Sequence, residues 1–377
     1  MGDTGADPAS RRGRMMRGAA IALVAVLLAG AAVFGIQLLR SRYDVPRADL
    51  LGGMSPPTST PSPTPSPTTP PGADITGPLN ILLVGIDPRE SVPTWQPNAD
   101  AVLILHVTKG LDRGYLFSLP RDLVVDIPSF PKAGYGGGRT KLTHAMSYGS
   151  RRTGGARPDV AQGFQLLAKT VSKYTGIARF DAGAVLNFRG YRDLINAIGG
   201  VDLYVDQRVA SIHLRPDGRM RTPGGTNGYS GPQMVYEKGQ RHFNGWQALD
   251  YARQRYISGG DYTRQRHQQQ LLKAMLRKVL DRKLASDPAG IDRVLRAVSK
   301  TLVFDGQGRR PIDFAFALSN LRPEALTLVG LPGLGVESGG GYAGEQLEQV
   351  GRKFIAELRA GRAEAFLKAN PKLVVKG

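Results

Sequence analysis

The chain of 377 residues contains no cysteine, which excludes structural disulfides and thiolate metal sites and leaves either side of a membrane open to it. Its five histidines, His106, His144, His213, His242 and His267, lack zinc-ligand spacing. No G-x-x-x-x-G-K-[ST], G-x-S-x-G or H-E-x-x-H occurs, so the phosphate-loop, serine-hydrolase and zinc-protease signatures are all missing. Residues 134–138 are glycine-rich but read as a loop, not as a phosphate cradle. Acidic residues are scarce: 31 Asp and Glu stand against 50 Lys and Arg, giving a formal net charge of +19 and a pI near 10.3. Such an excess implies an anionic partner, whether nucleic acid, a membrane surface or a phosphorylated polymer. Neither a helix-turn-helix nor an aromatic RNA-binding pattern is present, which argues against nucleic acid. An apolar content of 41% supports a sizeable core and excludes disorder for most of the chain.

The one long hydrophobic run is residues 18–39, uncharged and long enough to cross a bilayer core of about 30 Å as a helix. Ala29-Gly30-Ala31 resembles a signal-peptide cleavage site, but the run exceeds the usual ~7–15 residues of a signal peptide, so an uncleaved signal-anchor is expected. Arg11, Arg12, Arg14 and Arg17 precede it, against Arg40, Arg42 and Arg47 after it, which makes residues 1–17 a cytoplasmic tail and the remainder extracytoplasmic. Residues 40–78 form a linker whose centre, PPTSTPSPTPSPTTPPG, has nothing apolar to bury and favours an extended polyproline II spacer.

A globular domain is expected over 79–361, followed by a C-terminal tail, 362–377. Residues 81–86, 101–107 and 115–119 read as strands buried on both faces. Arranged as an antiparallel meander, they bring Asp87, Arg89, Asp100, Arg121 and Asp122 to one sheet edge. Helices are expected at 141–148, at 158–174, with an apolar stripe of Val160, Phe164, Leu167, Val171 and Tyr174, and at 190–198 between strands 180–186 and 201–205. Strands alternating with helices imply an α/β fold: a central mixed sheet, begun by antiparallel strands and flanked by α-helices on both faces. Residues 211–240, rich in Gly, Pro and Arg, read as a surface excursion, and Asn244 caps a helix through 249. A strand at 325–331 and helices at 290–299, 312–321 and 343–360 complete the pattern.

The stretch DYARQRYISGGDYTRQRHQQQ, 250–270, carries Arg253, Arg255, Arg264 and Arg266 with few carboxylates. Guanidinium forks suit phosphate oxygens, so the functional reading is an anion clamp, against the bland reading of a solvated basic face. Arg253 and Arg255 are two apart and share a side only if 251–257 is extended. Beyond Gly259-Gly260, Asp261 or Thr263 caps a helix to about 284, striped by Leu271, Leu272, Met275, Leu276, Val279 and Leu280. Arg264 and Gln268 continue that stripe and face inward, where arginines lacking carboxylates demand an anion. Lys273, Arg277, Lys278, Arg282 and Lys283 fall on the solvated face. Asp87 and Asp100, close to Arg121, form an oxygen-donor pair suited to Mg²⁺ held together with substrate phosphates, although aspartates at strand ends are also common turn formers.

Six ordered segments, N-I-L-L-V-G-I-D-P-R, N-A-D-A-V-L-I-L-H-V, S-L-P-R-D, K-L-T-H-A-M-S-Y-G, I-N-A-I-G-G-V-D and Y-A-R-Q-R with D-Y-T-R-Q-R-H-Q, resemble the LytR-CpsA-Psr (LCP) family over about 80–284. The resemblance implies an outward-facing α-β-α catalytic domain on a membrane anchor. Such a domain moves a glycopolymer from a polyprenyl pyrophosphate carrier to peptidoglycan, forming a phosphodiester. By position, Asp87 and Asp100 would hold Mg²⁺, or Mn²⁺ in its place. Arg121, Arg253, Arg255 and Arg264, with Gln268, would bind the pyrophosphate; Arg89, Asp122, Lys141 and Asp261 would support it. Many members carry arginine where this chain has His267, which leaves Arg266 without an assigned role and facing solvent. The stripe of residues 160–174 is a candidate wall for the lipid groove the family implies, against a core reading. The competing readings are a non-catalytic anchored module that binds polyprenyl phosphate or anionic wall polymer, a polyprenyl pyrophosphatase, and a transcriptional regulator, which a 17-residue cytoplasmic tail is too short to support.

Overall fold

The continuous apolar runs become the middle of one sheet. The computed structural model describes residues 47–52, 72–86, 92, 94–152, 154, 156–224, 228–279, 293–294, 296–297, 299 and 302–375. In chain order the elements begin with β1 (Leu79–Ile86), β2 (Ala99–Val107), β3 (Gly114–Leu119), β4 (Val124–Ile127), β5 (Gly138–Lys141), α1 (Thr143–Gly149) and α2 (Val160–Thr175). Next come β6 (Ala182–Asn187), α3 (Phe188–Ala197), β7 (Val201–Val205), β8 (Val209–Ala210), β9 (Thr222–Pro223), β10 (Tyr229–Ser230), β11 (Val235–Tyr236) and β12 (Gly239–Phe243). The rest are α4 (Gly245–Arg253), α5 (Gly260–Val279), β13 (Leu302–Asp305), α6 (Pro311–Ala317), β14 (Leu326–Val329), β15 (Gly333–Ser338), β16 (Gly341–Leu347), α7 (Gln349–Arg359) and α8 (Ala363–Ala369).

Six strands form the central sheet in the order β13-β6-β1-β2-β3-β14. The first three make the expected antiparallel meander; β6 joins β1 and β14 joins β3 in parallel, and β13 is antiparallel to β6. Alternation along β1 sends Ile81 and Leu83 to a core shared with α3, α4, α5 and α6, and Leu82 and Val84 to a second core shared with α1, α2, α7 and α8. Both faces are therefore covered, which is why β1 is apolar at successive positions instead of alternating. Each fully buried Leu or Phe contributes roughly 1.5–3 kcal/mol, so both layers are held mainly by these contacts.

The packing decides one open reading and corrects several expectations. The stripe in α2 is core: Asp159 caps the helix through Gln162 N at 3.0 Å, and Phe164, Leu167 and Val171 are fully buried against the sheet. Helix α4 runs through Arg253, past residue 249, on a reciprocal Asn244–Gln247 capping box, so the extended backbone begins only at Gln254. The 211–240 excursion is pinned from within. Buried Arg221 donates to the carbonyls of Ile212 at 2.7 Å, Tyr229 at 3.2 Å and Gly231 at 3.0 Å, and β12 pairs with β7. Residues 343–347 are strand, not helix, because Gly339 and Gly340 both take positive φ (61° and 80°) and close a tight hairpin between β15 and β16. Part of the expected tail is the helix α8, which buries Leu367, and Val375 N donates to Leu328 O at 2.9 Å. The expected membrane span at 18–39 and most of the linker lie outside the described residues, among which no helix is long and apolar enough to cross a membrane.

Candidate active site

The site grows from an irregularity in the β1–β2 ladder. Gly85 pairs with Ala101 but Ile86 pairs with Ala99, so Asp100 is the extra residue of a β-bulge, a device that re-aims a side chain at a strand end. On the other side Val102 pairs with Leu119, which sets Asp100 and Arg121 each two residues beyond the last matched pair on one sheet edge. There the Arg121 guanidinium forms an ion pair with the Asp100 carboxylate. Asp122 Oδ1 lies 3.8 Å from Arg121 Nε and 3.6 Å from Lys141 Nζ, and Lys141 is delivered by the β4–β5 pairing with Val124. Of the predicted edge, Asp100, Arg121 and Asp122 are thus brought together, and Lys141 joins them from β5. Asp87 and Arg89 lie outside the described residues.

Helix α5 presents the second wall. Arg264 is 5% exposed, as its place on the apolar stripe predicts. It is satisfied without an anion: Nε and a terminal nitrogen each lie 2.8 Å from Asp261 Oδ1, and NH1 donates to the Asp100 carbonyl at 2.8 Å. The premise that inward arginines here lack partners therefore fails, and Arg264 braces the bulge that carries Asp100. Asp261 is no helix cap; it holds Arg264 and accepts from Gln265 Nε2 at 3.0 Å. Gln268 donates weakly to Ala252 O at 3.4 Å.

Arg253 and Arg255 are exposed, Arg253 as the last residue of α4 and Arg255 in the loop beyond it. Arg255 donates to the Tyr256 hydroxyl at 3.1 Å and sits 5.1 Å from that ring's centre. Burial lowers its pKa, but Tyr256 and the negative charges of Asp122 and Asp261 outweigh burial and push it up, which places Arg255 in the field of the same carboxylates. His213, at the start of the excursion, is held low by burial and then by Arg253, Arg255 and Arg221, with Asp250 opposing. The excursion therefore borders the arginine pair.

Beneath Arg253 and Gln268 an apolar cavity opens between the sheet and helices α3, α4 and α5. Gly85, Ala101 and Ala184 form its floor, Leu83, Leu103, Leu186 and Leu302 its sides, and Leu272 part of its roof. Small residues on the strands leave this space where larger ones would fill it. It lies on the opposite sheet face from α2, so the stripe of 160–174 is not its wall.

Other participants were not anticipated. Glu345 accepts from Tyr262 and Tyr342 at 2.8 Å each, tying the β15–β16 hairpin to the first turn of α5. Its backbone donates to Asp122 O at 2.8 Å, and a Cβ on the preceding Gly344 would lie 2.5 Å from that same oxygen, so only glycine permits the approach. Asp206 binds both Arg266 and His267, so Arg266 is paired and does not simply face solvent. Reading 343–347 as strand is the step that would have found Glu345. Nothing in the local sequence marks Asp206 beyond its place after β7. Lys273 is half-buried and its pKa is lowered by burial and by Arg277, so it is less solvated than expected; Arg277 is exposed as expected. Among the described residues no cluster of three His, Asp or Glu side chains is disposed to hold a metal, and Asp100 is the one described member of the expected pair.

The LytR_cpsA_psr family model matches residues 58–349. A relative from Enterococcus faecalis, named polyisoprenyl-teichoic acid–peptidoglycan teichoic acid transferase TagU, is 28% identical over 66% of this chain and 70% of its own length. Against two further relatives the match spans only about half their length, 49% and 52%. In fold the chain resembles protein gbs0355 from Streptococcus agalactiae, with a TM-score of 0.57 at 23% identity over 76% of this chain and 87% of that one. It also resembles Bacillus subtilis TagV, with a TM-score of 0.53 at 20% identity over 77% and 98%. The family match covers well over half of the sequence, including the bulged Asp100 edge and the arginine-bearing helix: this chain belongs to the LytR-CpsA-Psr family.

Proposed function

We propose that the protein is a phosphotransferase that takes a cell-wall glycopolymer from a polyprenyl pyrophosphate carrier and attaches it to peptidoglycan. The observation that carries this reading is the juxtaposition of an apolar cavity with Arg253 and Gln268 at its rim and the Asp100–Arg121 edge beside it. That pairing suits an amphiphile with a pyrophosphate head: the first isoprene units enter the cavity and the guanidinium forks take the phosphate oxygens. The name of the E. faecalis relative, with a polyisoprenyl-linked polymer as donor and peptidoglycan as acceptor, supports the same chemistry.

In the proposed step an acceptor hydroxyl oxygen attacks the phosphorus that carries the glycopolymer. The new P–O bond makes the phosphodiester, the bond to the bridging oxygen breaks, polyprenyl phosphate leaves and the hydroxyl proton passes to water. Arg121, Arg253 and Arg255 neutralise charge growing on the bridging oxygen, while Arg264 fixes the Asp100 bulge. Asp100 already serves Arg121, and no third ligand side chain gathers with it among the described residues. A Mg²⁺ held by Asp100 and Asp87 would thus take its other ligands from phosphate and water, as that ion commonly does, and would supply charge neutralisation there. Residues 18–39 would anchor the domain outside the cytoplasmic membrane.

The test uses the full-length protein in detergent with a polyprenyl pyrophosphate-linked glycan and peptidoglycan. Mg²⁺-dependent transfer that Arg255→Ala abolishes is expected. Binding of wall polymer that needs no metal and tolerates Asp100→Ala, without transfer, would instead make the protein a tethering module. A C-terminal topology reporter that reads as cytoplasmic would reject the anchored, outward-facing arrangement.

A further inference from the structure

We infer that Asp206 is a positioning residue for the phosphate-binding arginines, an inference that rests on the function proposed above. Asp206 follows β7 directly and does not face the sheet edge where the chemistry is placed. Its carboxylate ties the end of β7 to α5, and through His267 to α4. Arg266 Nε lies 2.9 Å and NH2 2.6 Å from Oδ2, while His267 Nε2 lies 3.1 Å from Oδ1. His267 is fully buried in α5 and stacks on Tyr251 of α4, ring centres 4.2 Å apart and planes within 19°. The Tyr251 hydroxyl is buried without a hydrogen-bond partner among the described residues, so it is the ring stack on His267 that ties α4 to the joint of β7 and α5.

Two corners of this joint, Tyr251 and His267, lie next to site residues. Tyr251 is two residues before Arg253, the last residue of α4; His267 lies between Arg264 and Gln268 on α5. Both helices approach the cavity rim at that level, and Arg264 reaches the Asp100 carbonyl with a single 2.8 Å bond. A small rotation of α5 about its axis would withdraw Arg264 and Gln268 together, and a slide of α4 would displace Arg253.

Burial keeps His267 neutral, outweighing the pull of Asp206, so its Nε2–H donates to the carboxylate and Nδ1 is left without a partner among the described residues. A buried imidazole with one orphaned nitrogen is held by its ring stacking and its one bond to Asp206, so loss of that bond frees it to turn. The His267 hydrogen bond and the Arg266 fork together keep Asp206 ionised. Asp206, Arg266 and His267 together therefore set the angle at which the arginine wall meets the sheet edge.

The experiment is steady-state kinetics of full-length Asp206→Asn with the polyprenyl pyrophosphate-linked glycan as donor, and inorganic pyrophosphate as inhibitor. Positioning predicts a split in which donor KM and the pyrophosphate inhibition constant both rise about tenfold while kcat falls by less, because Arg253 and the Arg264 brace shift but Arg121 stays paired with Asp100. A folded Asp206→Asn protein with unchanged KM and inhibition constant overturns the inference. Should that variant fail to fold, Arg266→Gln is expected to give the same split. The double variant should be no worse than either single, and additive effects would overturn the coupling. Arg255→Ala is run in parallel. Lost turnover there with no change in Asp206→Asn sinks this inference alone, whereas unaltered turnover in Arg255→Ala sinks the proposed function and this inference with it.

Discussion

Filling the apolar cavity should separate lipid binding from folding. Ala184 lies on the cavity floor, 3% exposed, paired with Leu83 on one side and Phe304 on the other. Ala184→Leu adds three carbons to a space the structure leaves open, so the usual overpacking cost of about 1–3 kcal/mol is largely avoided and stability should be unchanged or slightly raised. A prenyl chain entering the same space would lose contact for roughly three methylene-sized groups. At ~0.8 kcal/mol each this amounts to ~2.4 kcal/mol, or a rise in donor KM of about 60-fold. Inhibition by inorganic pyrophosphate should be untouched, since the head-group contacts remain. The assay is donor KM beside a urea unfolding curve of the same preparation. A folded Ala184→Leu protein with wild-type KM would show that no lipid enters this cavity, and the argument from the small residues of β1, β2 and β6 would fail.

Three further outcomes follow from the packing and the charges. Phe164→Ala should cost about 3–5 kcal/mol in urea unfolding with donor KM unchanged, because Phe164 packs on Gly183 in the core away from the cavity; a raised KM would restore α2 as a lipid wall. Arg264→Lys should destabilise by about 1–3 kcal/mol and lower transfer, since one ammonium cannot serve both Asp261 and the Asp100 carbonyl; wild-type stability by urea unfolding would refute the brace. Burial opposes ionisation of Asp206, but His267 and Arg266 outweigh it and hold its pKa at about 2, below the ~3.9 of an unfolded chain. Its ion pair with Arg266 and the hydrogen bond it accepts from His267 therefore stabilise the fold above about pH 4 and are lost as pH falls toward about 2. At a side chain 28% exposed the contribution is about 1–2 kcal/mol after screening. The gap in thermal midpoint between the parent and Asp206→Asn should thus be present at pH 7 and close between about pH 4 and pH 2; a gap independent of pH would assign the loss to packing alone.

What could be read from the sequence was what local pattern determines. The runs at 81–86, 101–107 and 115–119 are buried on both faces, so their apolar continuity identified them and their short connection after β2 implied the meander. From that order alone Asp100, Arg121 and Asp122 fall on one edge. The inward position of Arg264 followed likewise from its register with Leu271 and Met275. Where local and tertiary preferences disagreed the reading failed. Residues 343–347 have helical composition in part, yet the paired glycines before them impose a turn whose only continuation is a strand. The excursion of 211–240 has loop composition, yet one buried arginine organises its carbonyls.

The candidate site divides along the same line. Its cations were visible because guanidinium-rich segments are unusual and their spacing constrains where they point. Their partners were not, because a carboxylate that completes a network across the fold need have no local signature: Glu345 is 83 residues from Tyr262, and Asp206 is 60 from Arg266. The cavity was less legible still, being an absence of side-chain volume produced jointly by Gly85, Ala101 and Ala184 on three strands. The misreading of Arg264 is the instructive case. The few carboxylates along 250–270 suggested unpaired arginines waiting for an anion, but Asp261 supplies one partner and a backbone carbonyl on β2 supplies the next. A carbonyl is invisible to any tally of charge. The proposed anion clamp therefore rests on the exposed Arg253 and Arg255, while Arg264 holds in place the bulge that carries Asp100.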